Sequence, residues 1–168
     1  MWGWTRRGLA AAMVALAVAM PSVGFAADGP VVVYIVRHAE KAGDKGDVAL
    51  TDEGQARAEK LAGMLKDVPL TGVHSTDTLR TRSTAQPAAT GHGLEVQLYD
   101  PRAPSKLVMA LQTQKGHHLV VGHSNTIDVM VEVLGGDPGV TIRDDEYDRL
   151  YIVVMNEEAH VSTSLLRF

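Results

Sequence analysis

The sequence predicts a single α/β domain, a three-layer α/β/α sandwich with a mostly parallel sheet, helices on both faces and a C-terminal antiparallel hairpin. Short apolar runs alternate along the chain with segments whose apolar residues recur at helical spacing. Two of these runs end in histidine, at His38 after 31–36 and at His123 after 119–122. The last two runs are separated only by a short polar connection, which is typical of a hairpin.

The first 26 residues have the pattern of an export signal. Arg6 and Arg7 precede a twelve-residue apolar stretch, Leu9 to Met20, and a small-residue cleavage site ends at Ala26. Twelve residues are well short of the roughly 20 that cross a bilayer, so the pattern favours a cleaved peptide over a membrane anchor. We expect residues 27–168 to form the mature domain in the periplasm or outside the cell. Both the general and the twin-arginine export routes fit the leader.

Composition excludes several kinds of chemistry. The chain has no cysteine, so neither a disulfide nor a thiol nucleophile is available. Its formal net charge is −4, and removal of the two leader arginines makes it −6, which argues against a nucleic-acid partner. The 142 residues after the leader suit one domain with one core.

The N-terminal half shows each predicted element in turn. The apolar run 31–36 predicts the first strand, and a polar loop at 42–48 follows it. Thr51, with two acidic residues behind it, is a good N-cap for a helix over 51–67, which Pro69 ends. Leu61, Met64, Leu65 and Val68 fall at helical spacing in this segment.

The remaining elements follow the same alternation. A short strand at 72–75 precedes a helix that Asp77 or a neighbour caps and that runs through Ala89. The other predicted strands cover 94–99 and 118–122, the other helices 104–114 and 124–134, and the hairpin 150–155 and 160–166.

Four short signatures lie on these elements in order. They are Arg37-His38-Ala39-Glu40, Leu50-Thr51-Asp52-Glu53-Gly54-Gln55-Ala56, Ser75 through Arg80 to Thr84-Ala85, and Val121-Gly122-His123-Ser124. Together they resemble the histidine phosphatase superfamily, which includes cofactor-dependent phosphoglycerate mutases and short bacterial phosphohistidine phosphatases. The resemblance runs from about Val33 to Leu134. It implies a phosphoglycerate mutase-like fold and a phosphatase that acts through a phosphohistidine intermediate.

The chemistry of phosphoryl transfer leads to the same residues. The transition state spreads negative charge over three oxygens, so a catalyst needs an in-line nucleophile among several fixed donors. We expect His38 to be the nucleophile, and Arg37, Arg80 and His123 to bind phosphate, because a guanidinium fork fits two phosphate oxygens. Ser124 is a further candidate phosphate ligand at a helix start, although it and Asn125 fit a capping role better. This scheme needs no metal and no cofactor.

The general acid is harder to assign. Asp100 follows the third strand, where many members of the superfamily place an acidic residue, but it fits a turn before Pro101 equally well. Glu40 is the alternative. Glu146 and Asp148 lie in an acidic stretch before the final hairpin, from which they could reach the rim of the pocket, but such a stretch is more typical of a solvated face.

Five other histidines have no predicted role in the chemistry. The sequence suggests surface or strand-end positions for them, and the adjacent pair lacks metal-ligand spacing. They are His74, His92, His117, His118 and His160.

The expected substrate is a phosphorylated small molecule, glycolipid or peptide. An alkoxide leaves poorly without a proton donor, whereas a phosphorylated imidazole asks less of one, so both phosphate monoesters and phosphoramidates fit. The competing hypothesis is a phospho-ligand-binding or sensing protein on the same fold, because fold does not fix function. The sequence gives no prediction of oligomeric state.

Overall fold

A computed structural model describes residues 29–168 except Glu157 and Ala159. The predicted signal peptide, residues 1–26, lies outside the described residues. The strands are β1 (Val31–Arg37), β2 (Leu70–Ser75), β3 (Val96–Leu98), β4 (Gly116–Gly122), β5 (Arg149–Met155) and β6 (Val161–Arg167). The helices are α1 (Asp52–Leu65), α2 (Leu79–Gly91), α3 (Pro104–Gln114) and α4 (Ser124–Val133). In this part of the chain, no helix combines the length and apolarity that a membrane span requires.

All ten elements occur in the predicted order, with shifts at their ends. β2 begins at Leu70 rather than at 72, and β3 is shorter than the predicted 94–99. The N-cap of α2 is Thr78, whose side chain accepts from the Thr81 amide, so a neighbour of Asp77 takes the capping role.

The six strands form one sheet in the order β3-β2-β4-β1-β5-β6. β3, β2, β4 and β1 run parallel, whereas β5 is antiparallel to β1 and β6 is antiparallel to β5. The predicted mostly parallel sheet with a terminal antiparallel hairpin is therefore confirmed.

Helices cover both faces of the sheet, as predicted. On one face, α1 and α2 pack through Leu61, Leu65 and a run of small alanines against strand residues such as Val73. On the other face, α3 and α4 pack through residues such as Leu111 and Ile127. These two buried layers fix the strand ends, which form the edge where ligands bind in open α/β sheets.

The register of β1 and β4 brings the two key histidines together. Arg37 lies opposite Gly122, so His38 and His123 are the next residues on neighbouring strands. The His38 amide also donates to the Gly122 carbonyl at 2.8 Å.

Gly54 explains why the second signature carries glycine. A Cβ atom at this position would lie 2.3 Å from the Glu40 carbonyl oxygen, which is backbone and has little freedom to move. The first turn of α1 therefore rests directly on the backbone two residues after His38.

The expectation that the remaining histidines lie at the surface or at strand ends is wrong for His74 and His118. Their exposed fractions are 3% and 0%, and His74 Nε2 lies 3.4 Å from His118 Nδ1. Gly72 leaves room for them, since a Cβ there would approach both rings within 3 Å. The pair faces the α3 and α4 side of the sheet, because His74 is in register with the buried Val120. Burial lowers the pKa of both rings, that of His74 to about 4.

Candidate active site

A polar cavity of about 350 Å³ lies at the carboxyl ends of β1 and β4. Its lining includes four of the predicted residues, Arg37, His38, Arg80 and His123, and also Ser124. The polar loop between β1 and α1 forms its rim, where Lys41 pairs with Asp44 at 2.7 Å. The fold thus brings together one candidate nucleophile and four candidate phosphate ligands from different elements.

His38 is oriented by its own backbone. It is 3% exposed, and its Nδ1 lies 2.7 Å from the Ala39 carbonyl oxygen, which can only accept. Nδ1 therefore carries the proton, and the lone pair is on Nε2. Burial, together with the positive charges of Arg37 and Arg80, lowers the pKa of His38 to about 4. At neutral pH the ring is uncharged, which is the state that a nucleophilic imidazole requires.

Arg37 is held by a distant loop. Its Nη1 donates to the carbonyl oxygens of Arg143, Asp144 and Glu146, at 3.0, 2.9 and 3.0 Å. The guanidinium also lies 4.2 Å from the ring centroid of Tyr147, and that ring packs 5.9 Å from the ring of His38. Tyr147 therefore contacts both Arg37 and His38. Nothing in its sequence context predicts this role.

The loop that holds Arg37 is itself fixed by ion pairs. Arg149, 4% exposed, binds the Glu146 carboxylate through two nitrogens at 2.7 and 2.8 Å. Arg167 on β6 reaches the same carboxylate at 2.7 Å. The interpretation of Glu146 as part of a solvated face is therefore wrong: its side chain is only 13% exposed and has two arginine partners. Those partners lower its pKa to about 2.

Arg80 and His123 form the opposite side of the cavity. Arg80 Nη2 lies 3.5 Å from His123 Nδ1, and Nη1 lies 3.5 Å from the Gly46 carbonyl oxygen. Both distances are at the long limit for hydrogen bonds, so the Arg80 side chain is loosely held. Burial, then the charges of Arg80 and Arg37, lowers the pKa of His123 to about 4.

Thr84 links the two sides of the site. Its hydroxyl donates to the Arg80 carbonyl oxygen at 2.8 Å and accepts from the Ala39 amide at 3.0 Å. The threonine of the third signature thus ties the start of α2 to the backbone next to His38.

Two donors in this site have no partner. The Nε atoms of Arg37 and Arg80 are buried and make no hydrogen bond within the described part of the chain. Leaving a buried donor unsatisfied costs about 1–3 kcal/mol. An oxyanion in the cavity is the ligand that such charged donors favour.

Neither predicted general acid lines this cavity. Asp100 lies in the adjoining cleft, which shares only His123 with it, and its carboxylate binds Arg102 at 3.1 Å. The hydrogen bond from Arg102 lowers the pKa of Asp100. Glu40 instead pairs with Arg57 at 2.6 Å, and both residues line a different cleft.

Ser124 is not the N-cap of α4, although the sequence favours that role. The N-cap of α4 is His123, and Ser124 is the first residue of the helix. The His123 amide is satisfied by the Thr126 hydroxyl at 2.9 Å. Ser124 and Asn125 both line the cavity from this helix end, where the dipole favours an anion.

The part of the chain that carries the first three signatures matches the model of a known family. The model of the histidine phosphatase superfamily (branch 1) matches residues 33–101. Over these residues the chain is similar to the histidine phosphatase superfamily. This similarity supports phosphatase activity. No curated protein sequence matches the chain.

Solved structures share the fold of this chain. The protein histidine phosphatase SixA in complex with tungstate superposes with a TM-score of 0.68 at 21% identity, covering 82% of this chain and 97% of that one. Mycobacterial glucosyl-3-phosphoglycerate phosphatase gives a TM-score of 0.63 at 13% identity, covering 83% and 98%. Phosphoglycerate mutase from Bacillus anthracis gives 0.62 at 16% identity, covering 84% and 94%. The predicted phosphoglycerate mutase-like fold is confirmed.

Within the described residues, no group of three or more histidine, aspartate or glutamate side chains is arranged to hold a metal ion. The cationic groups that face the cavity are instead the guanidinium groups of Arg37 and Arg80 and the ammonium group of Lys41.

Proposed function

We propose that this protein is an exported, metal-independent phosphatase that hydrolyses phosphate monoesters or phosphoramidates through a phosphohistidine on His38. The observation that carries the proposal is the orientation of His38. Its Nδ1 is bound to the Ala39 carbonyl, which leaves the Nε2 lone pair free in a cavity with two arginines.

The proposed reaction has two steps. Nε2 of His38 attacks phosphorus, and the bond from phosphorus to the leaving group breaks. Water then attacks the phosphohistidine, releasing inorganic phosphate and neutral His38. Arg37 and Arg80 stabilise the negative charge on the equatorial oxygens in both steps, a role that a metal ion takes in other phosphatases.

The placement of the two predicted general acids bears on the substrate. The carboxylates that do line the cavity are Asp44, which pairs with Lys41, and Asp144. Asp100 is held ionised by Arg102, and Glu40 is held by Arg57, so neither is poised to protonate a leaving group. Leaving groups that need little protonation, such as phosphorylated imidazole or an acidic phenol, fit a site in which neither predicted acid is available.

Export is proposed from the leader alone. Residues 1–26 combine two arginines, an apolar stretch and a small-residue cleavage site. Mass spectrometry of the protein recovered from a periplasmic fraction tests this. A mature N-terminus near Ala27 supports export, and an intact leader in the cytoplasmic fraction contradicts it.

The test of activity is phosphate release from para-nitrophenyl phosphate by the purified protein, with and without EDTA, beside His38→Ala. We expect turnover that survives EDTA and is lost in the variant. Turnover that EDTA abolishes would contradict metal independence. A folded protein that binds vanadate but does not turn over would favour the phospho-ligand-binding alternative.

Asp100→Asn separates the two interpretations of Asp100. If this carboxylate only pairs with Arg102, turnover of both an aryl and an alkyl phosphate stays within about twofold of wild type. If it is the general acid, the alkyl phosphate loses about 100-fold and the aryl phosphate much less, because only the alkoxide needs the proton.

A further inference from the structure

Three threonine hydroxyls form a cluster that contacts the His123 ring at Nε2. Thr76 and Thr81 are 1% and 0% exposed, and Thr78 is the N-cap of α2. Thr76 Oγ1 lies 2.9 Å from His123 Nε2 and 3.0 Å from Thr81 Oγ1. Thr78 Oγ1 lies 2.8 Å from Thr81 Oγ1.

The direction of these hydrogen bonds follows from what surrounds Thr81. Its hydroxyl lies 2.8 Å from the Thr76 carbonyl oxygen and 3.0 Å from the Thr78 carbonyl oxygen, and both can only accept. The Thr81 proton is therefore committed to a carbonyl, which leaves its oxygen as the acceptor for Thr76. Since Thr76 has one proton and gives it to Thr81, it must accept from His123 Nε2.

The other side of the His123 ring leads to the same tautomer. Arg80 Nη2 faces His123 Nδ1 at 3.5 Å, and a guanidinium has only donors. Nδ1 must then present a lone pair, which puts the proton on Nε2. The hydroxyl cluster and the arginine thus select the same form of the ring from opposite sides.

We propose that Thr76 is a positioning residue, which fixes His123 in the Nε2-protonated tautomer and directs its Nδ1 lone pair towards the Arg80 guanidinium. His38 is the opposite tautomer, with the proton on Nδ1. Different hydrogen-bond partners therefore fix the two histidines of the site in opposite tautomers. The Ala39 carbonyl sets one, and a threonine hydroxyl sets the other.

This arrangement couples His123 to α2. The cluster that holds the ring is built from the loop before α2 and from its first turn, the same turn that carries Arg80. Loss of the Thr76 hydroxyl leaves the buried Nε2 proton of His123 without an acceptor. We expect the ring to reorient and Arg80 to lose its partner at Nδ1.

The test compares Thr76→Val, which removes the hydroxyl at nearly constant shape, with Thr76→Ser, which keeps it. Thr113→Val, an exposed position on α3, is the matched control. The direct readout is the ¹⁵N NMR spectrum of the histidine rings at neutral pH, assigned with His123→Gln. We expect Nε2 of His123 to be protonated in wild type, in Thr76→Ser and in Thr113→Val, and the two tautomers to be mixed in Thr76→Val.

The kinetic readout rests on the proposed phosphatase function. Misplacing a catalytic group by a fraction of an ångström is expected to lower kcat/KM about tenfold in Thr76→Val, with recovery in Thr76→Ser. Thermal unfolding of each variant identifies a simple loss of fold.

The NMR result decides the proposal whether or not the protein turns over a phosphate ester. A wild-type His123 protonated on Nδ1, or an unchanged tautomer in Thr76→Val, would overturn it. Loss of turnover in Thr76→Ser to the same degree as in Thr76→Val would also contradict it.

Discussion

The two arginine and histidine pairs of this site are held in different ways. Arg37 makes three hydrogen bonds of 2.9–3.0 Å to carbonyls in a loop near the other end of the chain. Among the described residues, the Arg80 guanidinium makes two hydrogen bonds, both at 3.5 Å, and one of them is to His123 itself. Preorganised donors cost no reorganisation when the reaction occurs, whereas a loosely held one must settle onto its ligand. We infer that Arg37 and His38 form the fixed side of the cavity and that Arg80 adjusts as phosphate enters.

Exchange of each arginine for lysine tests this difference most directly. Arg37→Lys loses the stacking on Tyr147 and the forked donor geometry, so we expect kcat/KM to fall about 100-fold. Arg80→Lys keeps the positive charge, and the wild-type side chain is held only by long hydrogen bonds. We therefore expect kcat/KM to fall only about tenfold. Steady-state kinetics with para-nitrophenyl phosphate measure both. If kcat/KM falls equally in both variants, or further in Arg80→Lys, the inference that Arg37 is fixed and Arg80 adjustable is contradicted.

His38 and His123 are both expected to make the stability of the protein depend on pH. Both pKa values are lowered from 6.5 to about 4 in the folded protein, so the unfolded chain binds more protons between these values. Stability is therefore retained above about pH 6.5 and lost as the pH falls towards 4. Each histidine adds at most about 1.4 kcal/mol per pH unit to this slope.

Denaturant unfolding at several pH values measures that slope. We expect His38→Ala and His123→Ala to reduce it by similar amounts, because burial is the main cause of both pKa shifts. The buried pair of His74 and His118 keeps part of the slope in each variant. A slope that either variant leaves unchanged would show that its histidine is not held neutral.

The sequence predicts the fixed side only in part. Arg37 and His38 follow from the strand-end position and the signature, since register places the ends of parallel strands together. The contacts that hold Arg37 depend on carbonyls in an irregular loop, which no periodicity encodes. The sequence favours a solvated Glu146 for the same reason, because its partners Arg149 and Arg167 face it only after the hairpin has folded.

The histidines in the sheet show a related limit. An isolated histidine in a strand gives no signal of burial, and His74 and His118 become neighbours only through the pairing of β2 with β4. Gly54 is the opposite case. The sequence places Gly54 in a signature. The reason for a glycine there, the close approach of the Glu40 backbone, is visible only in the folded structure.

Glu146→Gln tests whether ion pairs far from the cavity maintain its fixed side. The amide keeps the shape of the side chain but loses one acceptor and the charge that binds both arginines, so we expect about 1.5 kcal/mol less stability. Asp145→Asn is the matched control, because the Asp145 pair with Arg143 is exposed and next to it in sequence; it should not change stability measurably. If the loop orients Arg37, Glu146→Gln also raises the KM for para-nitrophenyl phosphate a few fold, and Asp145→Asn leaves it unchanged. A loss of stability with no change in KM would mean that the ion pairs hold the hairpin alone, and that Tyr147 and the loop carbonyls are sufficient to keep Arg37 in place.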